Sequence, residues 1–216
     1  MCDPIDDPDL YIRVAQENGL NIRYVIDTHL HADHVSGGRR LAESSGAEYV
    51  LHESAETHYG FQRVRDGEVL ELGNVKIEVL HTPGHTPEHI SLLVTDKSRG
   101  PEPWFILTGH TLMVGDVGRT ELATAPDAGA TQLFETIQRL KAFPEYLEIL
   151  PGAYAGSVCG RALSGKAVST IGFERRFNRA FQINTVEQFV EFMLQGIPAP
   201  PPNATVVRAL NQGHPA

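Results

Sequence analysis

Three features are scarce in this chain of 216 residues: cysteine, positive charge and long apolar runs. Two cysteines are too few for a disulfide framework, and neither stands in a Cys-x-x-Cys pair of the kind found in redox sites. The 18 Lys and Arg residues face 27 Asp and Glu residues, which gives a formal net charge of -9. A polyanion is therefore repelled, and we expect no nucleic-acid partner.

Apolar stretches such as Trp104–Leu107 are far too short to cross a bilayer, and no basic stretch followed by an apolar one opens the chain as in a signal peptide. We therefore expect a cytoplasmic protein that has no membrane partner. Length and an even composition favour one α/β domain over residues 1–197. The proline-rich run that begins at Pro198 predicts a linker and tail over residues 198–216.

Four apolar segments have the length and composition of strands, and helical or loop-rich segments separate them. They are Ile22–Asp27, Val75–Thr82, Trp104–Gly109 and Leu147–Gly152. Histidines follow the first three segments. Because ligands of layered α/β folds bind at the carboxyl ends of strands, we expect the functional site at these ends.

Helix signals flank these strands. Asp7 and Pro8 predict the start of a helix, as N-cap and first helical residue, and apolar periodicity predicts another near Thr131–Ala142. A last helix is predicted to start at Thr185 and to stop at Gly196.

The densest chemical feature is the group His29, His31, Asp33 and His34, which directly follows the first strand. Such groups are costly to bury unless a metal or a charged partner satisfies them. Along an extended segment His29 and His31 point to the same side, while Asp33 and His34 come where the chain begins to turn into a helix. The spacing predicts a metal site with two adjacent subsites, and His85 stands in a tight turn after the second strand.

These motifs resemble a known family, the metallo-β-lactamase superfamily, over nearly the whole chain. The signature at residues 29–34 is joined by Pro83-Gly84-His85-Thr86, which is similar to the family's second metal motif. Three further stretches resemble the branch that contains persulfide dioxygenases and lactamase–rhodanese fusion proteins, with glyoxalase II thioesterases more distant. They are Gly115–Arg119, Ala155–Gly160 and Glu174–Asn178.

The resemblance implies an α/β fold of the αββα sandwich type, with metal at one edge of two sheets. It also implies that His29, His31 and His85 surround one metal position, and that Asp33 and His34 belong to a second. The family usually has a strand pair before the point where this chain begins. We therefore expect a fold without those first strands, whose open sheet edge is covered in a homo-oligomer.

Two ligand positions depart from the family pattern. The third motif normally reads Thr-Gly-Asp, with the Asp ligating or bridging metals, and here it ends in His110. Ala153 stands where a further metal histidine is expected. Because an imidazole cannot bridge two cations through one oxygen, we expect one metal ion per chain, zinc or alternatively iron.

Three functions stay open. The first is a hydrolase of esters or thioesters, because a metal held by three histidines supplies hydroxide and polarises a carbonyl. In it His110 is a fourth ligand or oxyanion donor, Asp33 orients the water or accepts its proton, and Tyr154 donates to the substrate carbonyl.

The second is a persulfide dioxygenase with iron and glutathione persulfide. The resemblance implies that its two-His, one-carboxylate site would use His29, His85 and the residue now His110. The third is a non-catalytic member of the fold that binds a small molecule or a partner. In either enzyme Arg119, Arg175 and Arg176 are candidates to recognise an anionic substrate tail.

Overall fold

A computed structural model describes residues 1–161, 163–195, 197 and 199–215. In chain order the elements are α1 (Pro8–Glu17), β1 (Tyr24–Ile26), α2 (Gly38–Ser45), β2 (Glu48–His52), β3 (Gln62–Val64), β4 (Val69–Leu72), β5 (Val75–His81), β6 (Ile90–Asp96), β7 (Phe105–Gly109), β8 (Leu112–Met113), β9 (Asp116–Val117), α3 (Pro126–Lys141), β10 (Glu148–Pro151), β11 (Ser169–Thr170), α4 (Ile171–Phe177), α5 (Arg179–Gln182), α6 (Val186–Leu194) and α7 (Ala204–Asn211). Among these described elements, no helix combines the length and the apolar character needed to span a membrane.

The chain divides into two units. The first unit contains Met1–Val64 together with Pro201–Ala216, and the second contains Arg65–Pro200. The mixed α/β class predicted from the sequence is confirmed. The domain boundary predicted at residue 197 stays a prediction, but helix α7 forms within the segment predicted as a tail and belongs to the first unit. Pro198 and Ala216, the ends of that predicted tail, lie outside the described residues.

The first unit is built on a short parallel sheet in the order β1-β2-β3. All three residues of β1 are buried, and Val25 packs with Leu41 of α2 and Leu51 of β2 in one apolar cluster. Helix α1 begins as predicted, because the Asp7 carboxylate accepts a hydrogen bond from the N–H of Leu10 and Pro8 is the first helical residue. The buried strand β1 leads into residues 28–35, the histidine-rich loop.

The second unit is built on a six-stranded sheet in the order β11-β10-β7-β6-β5-β4. Only β10 and β7 run parallel among its described pairs, and the others are antiparallel. Helix α3 buries Leu133, Ile137 and Leu140 in the main apolar cluster, to which β7 contributes Ile106. This packing fixes the ends of β5 and β7, and His85 and His110 follow these two strands.

The predicted strands are all confirmed, with β1, β5, β7 and β10 lying inside the four predicted segments. Helix α3 begins at Pro126, five residues before the predicted start at Thr131, because Pro126 occupies its first turn without needing an N–H partner. Helix α6 begins after Thr185, whose hydroxyl accepts from the N–H of Gln188 as the capping pattern predicts. Its predicted stop, Gly196, lies outside the described residues.

Candidate metal centre

The first unit brings together three of the predicted ligands. His31, Asp33 and His34 each offer a ligand atom, and these atoms lie within 4.8 Å of one another. The loop that carries them follows β1 and has no helix or strand of its own before α2. His31 is buried, whereas Asp33 and His34 are partly exposed. The group therefore combines a fixed imidazole with a side that solvent or substrate can reach.

Asp3 is a charged partner of the group that the sequence reasoning missed. Its Oδ1 lies 3.2 Å from His31 Nε2 and accepts from the N–H of Thr28 at 2.6 Å. Burial raises the pKa of Asp3, but the charge and hydrogen bond of His31 together with two hydrogen bonds from Thr28 outweigh burial and lower that pKa to about 2. Burial lowers the pKa of His31, but the charge and hydrogen bond of Asp3, together with Asp33 and Asp27, outweigh burial and raise that pKa to about 10. Because Nε2 faces Asp3, Nδ1 is the nitrogen that faces Asp33, at 3.6 Å from Oδ1.

Hydrogen bonds fix the ring of His29 as well. The Thr28 hydroxyl donates to Asp3 Oδ2 at 2.9 Å, so its oxygen accepts from His29 Nδ1–H, also at 2.9 Å. That assignment leaves the lone pair on His29 Nε2, the arrangement found in metal-binding histidines. The Nε2 atom of His34 is buried and has no hydrogen-bond partner within the described chain. The donor set of this loop fits a divalent metal.

The second unit holds two more predicted ligands: His85 lies in the turn after β5, and His110 comes directly after β7. The rings of His85 and His110 lie 5.2 Å apart between centroids, edge to face. His85 Nδ1 donates to the carbonyl of Arg119 at 2.7 Å, which again leaves the lone pair on Nε2. Gly118 makes this approach possible, since a Cβ there would lie 2.2 Å from the His110 carbonyl oxygen and 3.0 Å from His85 Nδ1.

His110 is held by a buried polar network. His89 Nε2 accepts from the main-chain N–H of His110 at 3.1 Å, so the proton of a neutral His89 ring sits on Nδ1. That Nδ1 lies 2.9 Å from the hydroxyl of Thr82 and 3.0 Å from the hydroxyl of Thr111. In this geometry His89 supports the turn after β7 that carries His110.

The position next to the altered third motif is closely packed. The N–H of Gly152 donates to the carbonyl of Gly109 at 2.8 Å, and a Cβ at Gly152 would lie 3.3 Å from Cδ2 of His110. Ala153, which stands where the family has a histidine, is buried. Within the second unit, His110 and Ala153, the two positions that depart from the family pattern, are therefore close in space.

The predicted substrate-binding residues have varied surroundings. The Arg119 side chain is buried, pairs with Glu121 and donates to the carbonyl of Val158 at 3.1 Å. Arg175 donates to the carbonyl of Phe143 at 2.8 Å. These contacts stabilise the second unit, and recognition of a substrate tail by Arg119 and Arg175 stays a prediction.

Arg176 and Tyr154 are exposed, with 60% of Tyr154 accessible to solvent. Both side chains can reach a molecule in solution without breaking a buried network. Their predicted contacts with substrate stay predictions, and neither side chain is buried in the packed interior.

Comparison with known proteins places this geometry in a family. The family model described as the metallo-beta-lactamase superfamily matches residues 4–152. Hydroxyacylglutathione hydrolase GloC of Haemophilus influenzae is 29% identical, and the match covers 82% of this chain and 84% of that protein. The chain spans about half the length of other curated relatives, 53% and 52% in two cases.

Solved structures agree with this family match. A metallo-beta-lactamase from Staphylococcus aureus is 36% identical with a TM-score of 0.90, over 98% of this chain and 64% of that chain. ETHE1 from Myxococcus xanthus is 28% identical with a TM-score of 0.81, over 99% of this chain and 88% of that chain. The fold expected from the sequence resemblance is confirmed.

Proposed function

We propose, from the premise that the chain belongs to the metallo-β-lactamase superfamily, that it is a metal-dependent hydrolase of small esters or thioesters. Membership implies divalent metal binding. The relative GloC is named as a hydrolase of hydroxyacylglutathione, a thioester, and its match extends over most of both proteins. A small thioester is therefore the substrate class that the relatives support.

The ligands we assign are those that the resemblance implies. In this proposal His29, His31 and His85 are the ligands of one ion, and Asp33 and His34 belong to the second subsite. The hydrogen bonds to His29 Nδ1 and His85 Nδ1 favour this assignment, because both leave Nε2 as the binding atom. We propose one zinc ion per chain, with iron as the alternative.

A bound divalent metal supplies a water that ionises near pH ~7 and an electrophile that polarises a carbonyl. The chain contributes the rest. Asp33 orients the attacking water and accepts its proton, and His110 is a fourth ligand or donates to the developing oxyanion. Tyr154, exposed beside Ala153, donates a hydrogen bond to the substrate carbonyl. Arg176 is the exposed arginine that we propose for an anionic substrate tail.

The observation that carries the choice of hydrolysis is the imidazole at position 110. A two-His, one-carboxylate iron site needs a carboxylate there, and His110 cannot provide one. Hydrolysis needs less from the site, because three imidazoles, each deprotonated at the nitrogen that binds the metal, and an open position are sufficient.

Persulfide dioxygenase activity is the second candidate. The stretches Gly115–Arg119 and Ala155–Gly160 resemble that branch more closely than the glyoxalase II branch. This reading requires an iron site built from histidines alone. The third candidate, a binding protein without catalysis, is favoured only by the substitutions at His110 and Ala153.

The deciding experiment measures metal content and turnover in one preparation. The protein is expressed with iron and zinc both present, purified without chelators and analysed by plasma mass spectrometry. It is then assayed against hydroxyacylglutathione thioesters and aryl esters, and with glutathione persulfide in an oxygen electrode. We expect near-stoichiometric zinc and hydrolysis that is lost in the variants H29A and H31A.

Each other result selects another candidate. Stoichiometric iron with oxygen uptake supports the dioxygenase. A chain without stoichiometric metal refutes both enzymes. Bound metal with neither activity, and an unchanged biological role for H29A and H31A, supports the binding protein.

A further inference from the structure

Residues 28–35, the histidine-rich loop, form neither a helix nor a strand. Helix α7, near the other end of the sequence, forms hydrogen bonds with the main chain of this loop. Arg208 donates to the carbonyl of Leu30 at 2.6 Å. Asn211 Nδ2 donates to the carbonyls of His31 and His34, each at 2.9 Å.

The amide of Asn211 is used on both sides. Its Oδ1 accepts from the N–H of Ser36 at 2.9 Å, so one side chain contacts the loop at three main-chain groups. The residue is 8% exposed, and its hydrogen bond to the His31 carbonyl is buried. A surface residue with incidental contacts would not form three hydrogen bonds to main-chain groups of one loop. These main-chain contacts lie along the segment that carries His31, Asp33 and His34, whose ligand atoms lie close together.

Helix α7 has its own anchor in the first unit. Its end is tied to the loop after β2, where the N–H of His58 donates to the carbonyl of Gln212 at 2.8 Å and the Tyr59 hydroxyl donates to the carbonyl of Asn211. The Nε2 atoms of His58 and His214 lie 3.2 Å apart. Position 213 needs glycine, since a Cβ there would meet the Tyr59 ring at 2.7 Å.

We propose that α7 is a positioning element of the metal centre, in which Asn211 and Arg208 fix the main chain of Leu30, His31 and His34 and thereby set the geometry of the ligands. This inference rests on the proposed function, because it concerns the metal of that same site. Neither residue contacts the metal or the substrate in this proposal. Both act through the loop, as hydrogen-bond partners behind metal ligands commonly do.

The test uses Co²⁺ alone as the probe, in the full chain. The variant N211L keeps the side-chain size and removes the three side-chain hydrogen bonds of Asn211 to the loop, whereas R208Q removes the charged bond to Leu30 and leaves those of Asn211 in place. V206A is the matched control, because Val206 lies on the same helix and is 56% exposed. For each variant we would measure Co²⁺ affinity, the visible absorption of the bound Co²⁺, and hydrogen exchange of the amides of residues 30–36.

We expect N211L to bind Co²⁺ about tenfold or more weakly with an altered absorption spectrum. R208Q should show a smaller change and V206A none. The Ser36 amide should exchange faster in N211L, since its acceptor is gone. A spectrum that changes while the circular dichroism of the fold is retained separates positioning from loss of structure.

The outcomes separate this inference from the proposed function. If the wild-type chain binds Co²⁺ and the folded N211L and R208Q variants match its affinity and spectrum, the inference is overturned and the proposed function stands. If the wild-type chain binds no metal, the proposed function fails. The inference then fails with it, because no metal centre is left for α7 to position.

Discussion

The ring of His89 accepts a hydrogen bond from the main-chain N–H of His110, with 3.1 Å between Nε2 and the amide nitrogen. His89 is fully buried, and its other nitrogen faces the hydroxyls of Thr82 and Thr111. The ring therefore joins the ends of three neighbouring chain segments. Its removal leaves buried polar groups without the partners they now have.

We predict that H89L lowers the free energy of unfolding by about 1–3 kcal/mol, the cost of unsatisfied buried groups. H89Q should recover part of the loss, because its side-chain oxygen can accept from the N–H of His110. Urea unfolding of both variants beside the wild-type protein measures the difference. If H89L and H89Q are equally stable, the hydrogen bond to His110 has no role in stability.

A second prediction concerns Gly118, the residue against which His85 and the His110 carbonyl pack. A Cβ there would lie 2.2 Å from that carbonyl oxygen, so G118A forces the turn to move. We expect a loss of about 1–3 kcal/mol in stability and weaker metal binding. G100A is the control, since no atom lies within 4 Å of the Cβ position at Gly100. Calorimetric unfolding and Co²⁺ titration of both variants provide the readout, and equal behaviour contradicts the close packing.

A third prediction restores the family's ordinary ligands. The double variant H110D/A153H returns a carboxylate and an imidazole to the second metal position, which should raise the metal content from one ion per chain to two. H110D alone should stay near one, because the second position still lacks its histidine. Plasma mass spectrometry of the two variants, each purified without chelators, measures the ratio. A wild-type chain that already holds two ions contradicts the mononuclear site.

A fourth prediction is a pH effect on stability. Burial raises the pKa of Asp66, but the hydrogen bond and charge of Arg139, 2.8 Å from its Oδ1, together with the hydrogen bond from the N–H of His81 outweigh burial, and the pKa is lowered. A lowered carboxyl pKa adds stability above the unfolded value of about 3.9, and that stability is lost as the pH falls through the folded pKa.

The variant D66N should therefore be less stable than the wild-type protein at pH 7, by no more than about 1 kcal/mol because both side chains are partly exposed. The difference should shrink below pH ~4 and vanish in stronger acid. Urea unfolding at a series of pH values tests this. A difference that stays constant from neutral to acid pH rules out the carboxylate as its source.

Local sequence patterns predicted the parts of the fold whose causes are local. Strand segments, the caps at Asp7 and Thr185, and the close grouping of His31, Asp33 and His34 all depend on neighbours within a few residues. What the patterns did not show depends on distant residues. Asp3 lies 28 residues from His31, and no period or spacing links the two.

The stretch that begins at Glu174 shows the same limit. The functional interpretation was based on its arginines, but its buried residues are Glu174 and Asn178, and Glu174 accepts from the N–H of Gly115 and the hydroxyl of Ser169. Asn178 donates to the same carboxylate at 2.9 Å. An acidic residue at a helix start has no sequence signal that separates a solvated side chain from a buried acceptor.

The hydrogen bond from Asn211 to His31 joins residues 180 positions apart, with the whole second unit made between them. At typical rates of protein synthesis the ribosome needs roughly 10–35 seconds to cover that stretch. During this interval the nascent loop carries its histidines and carboxylate without the helix that fixes its main chain. An ion captured by the growing chain would meet flexible ligands, so the mature coordination geometry is a late event in the life of each molecule.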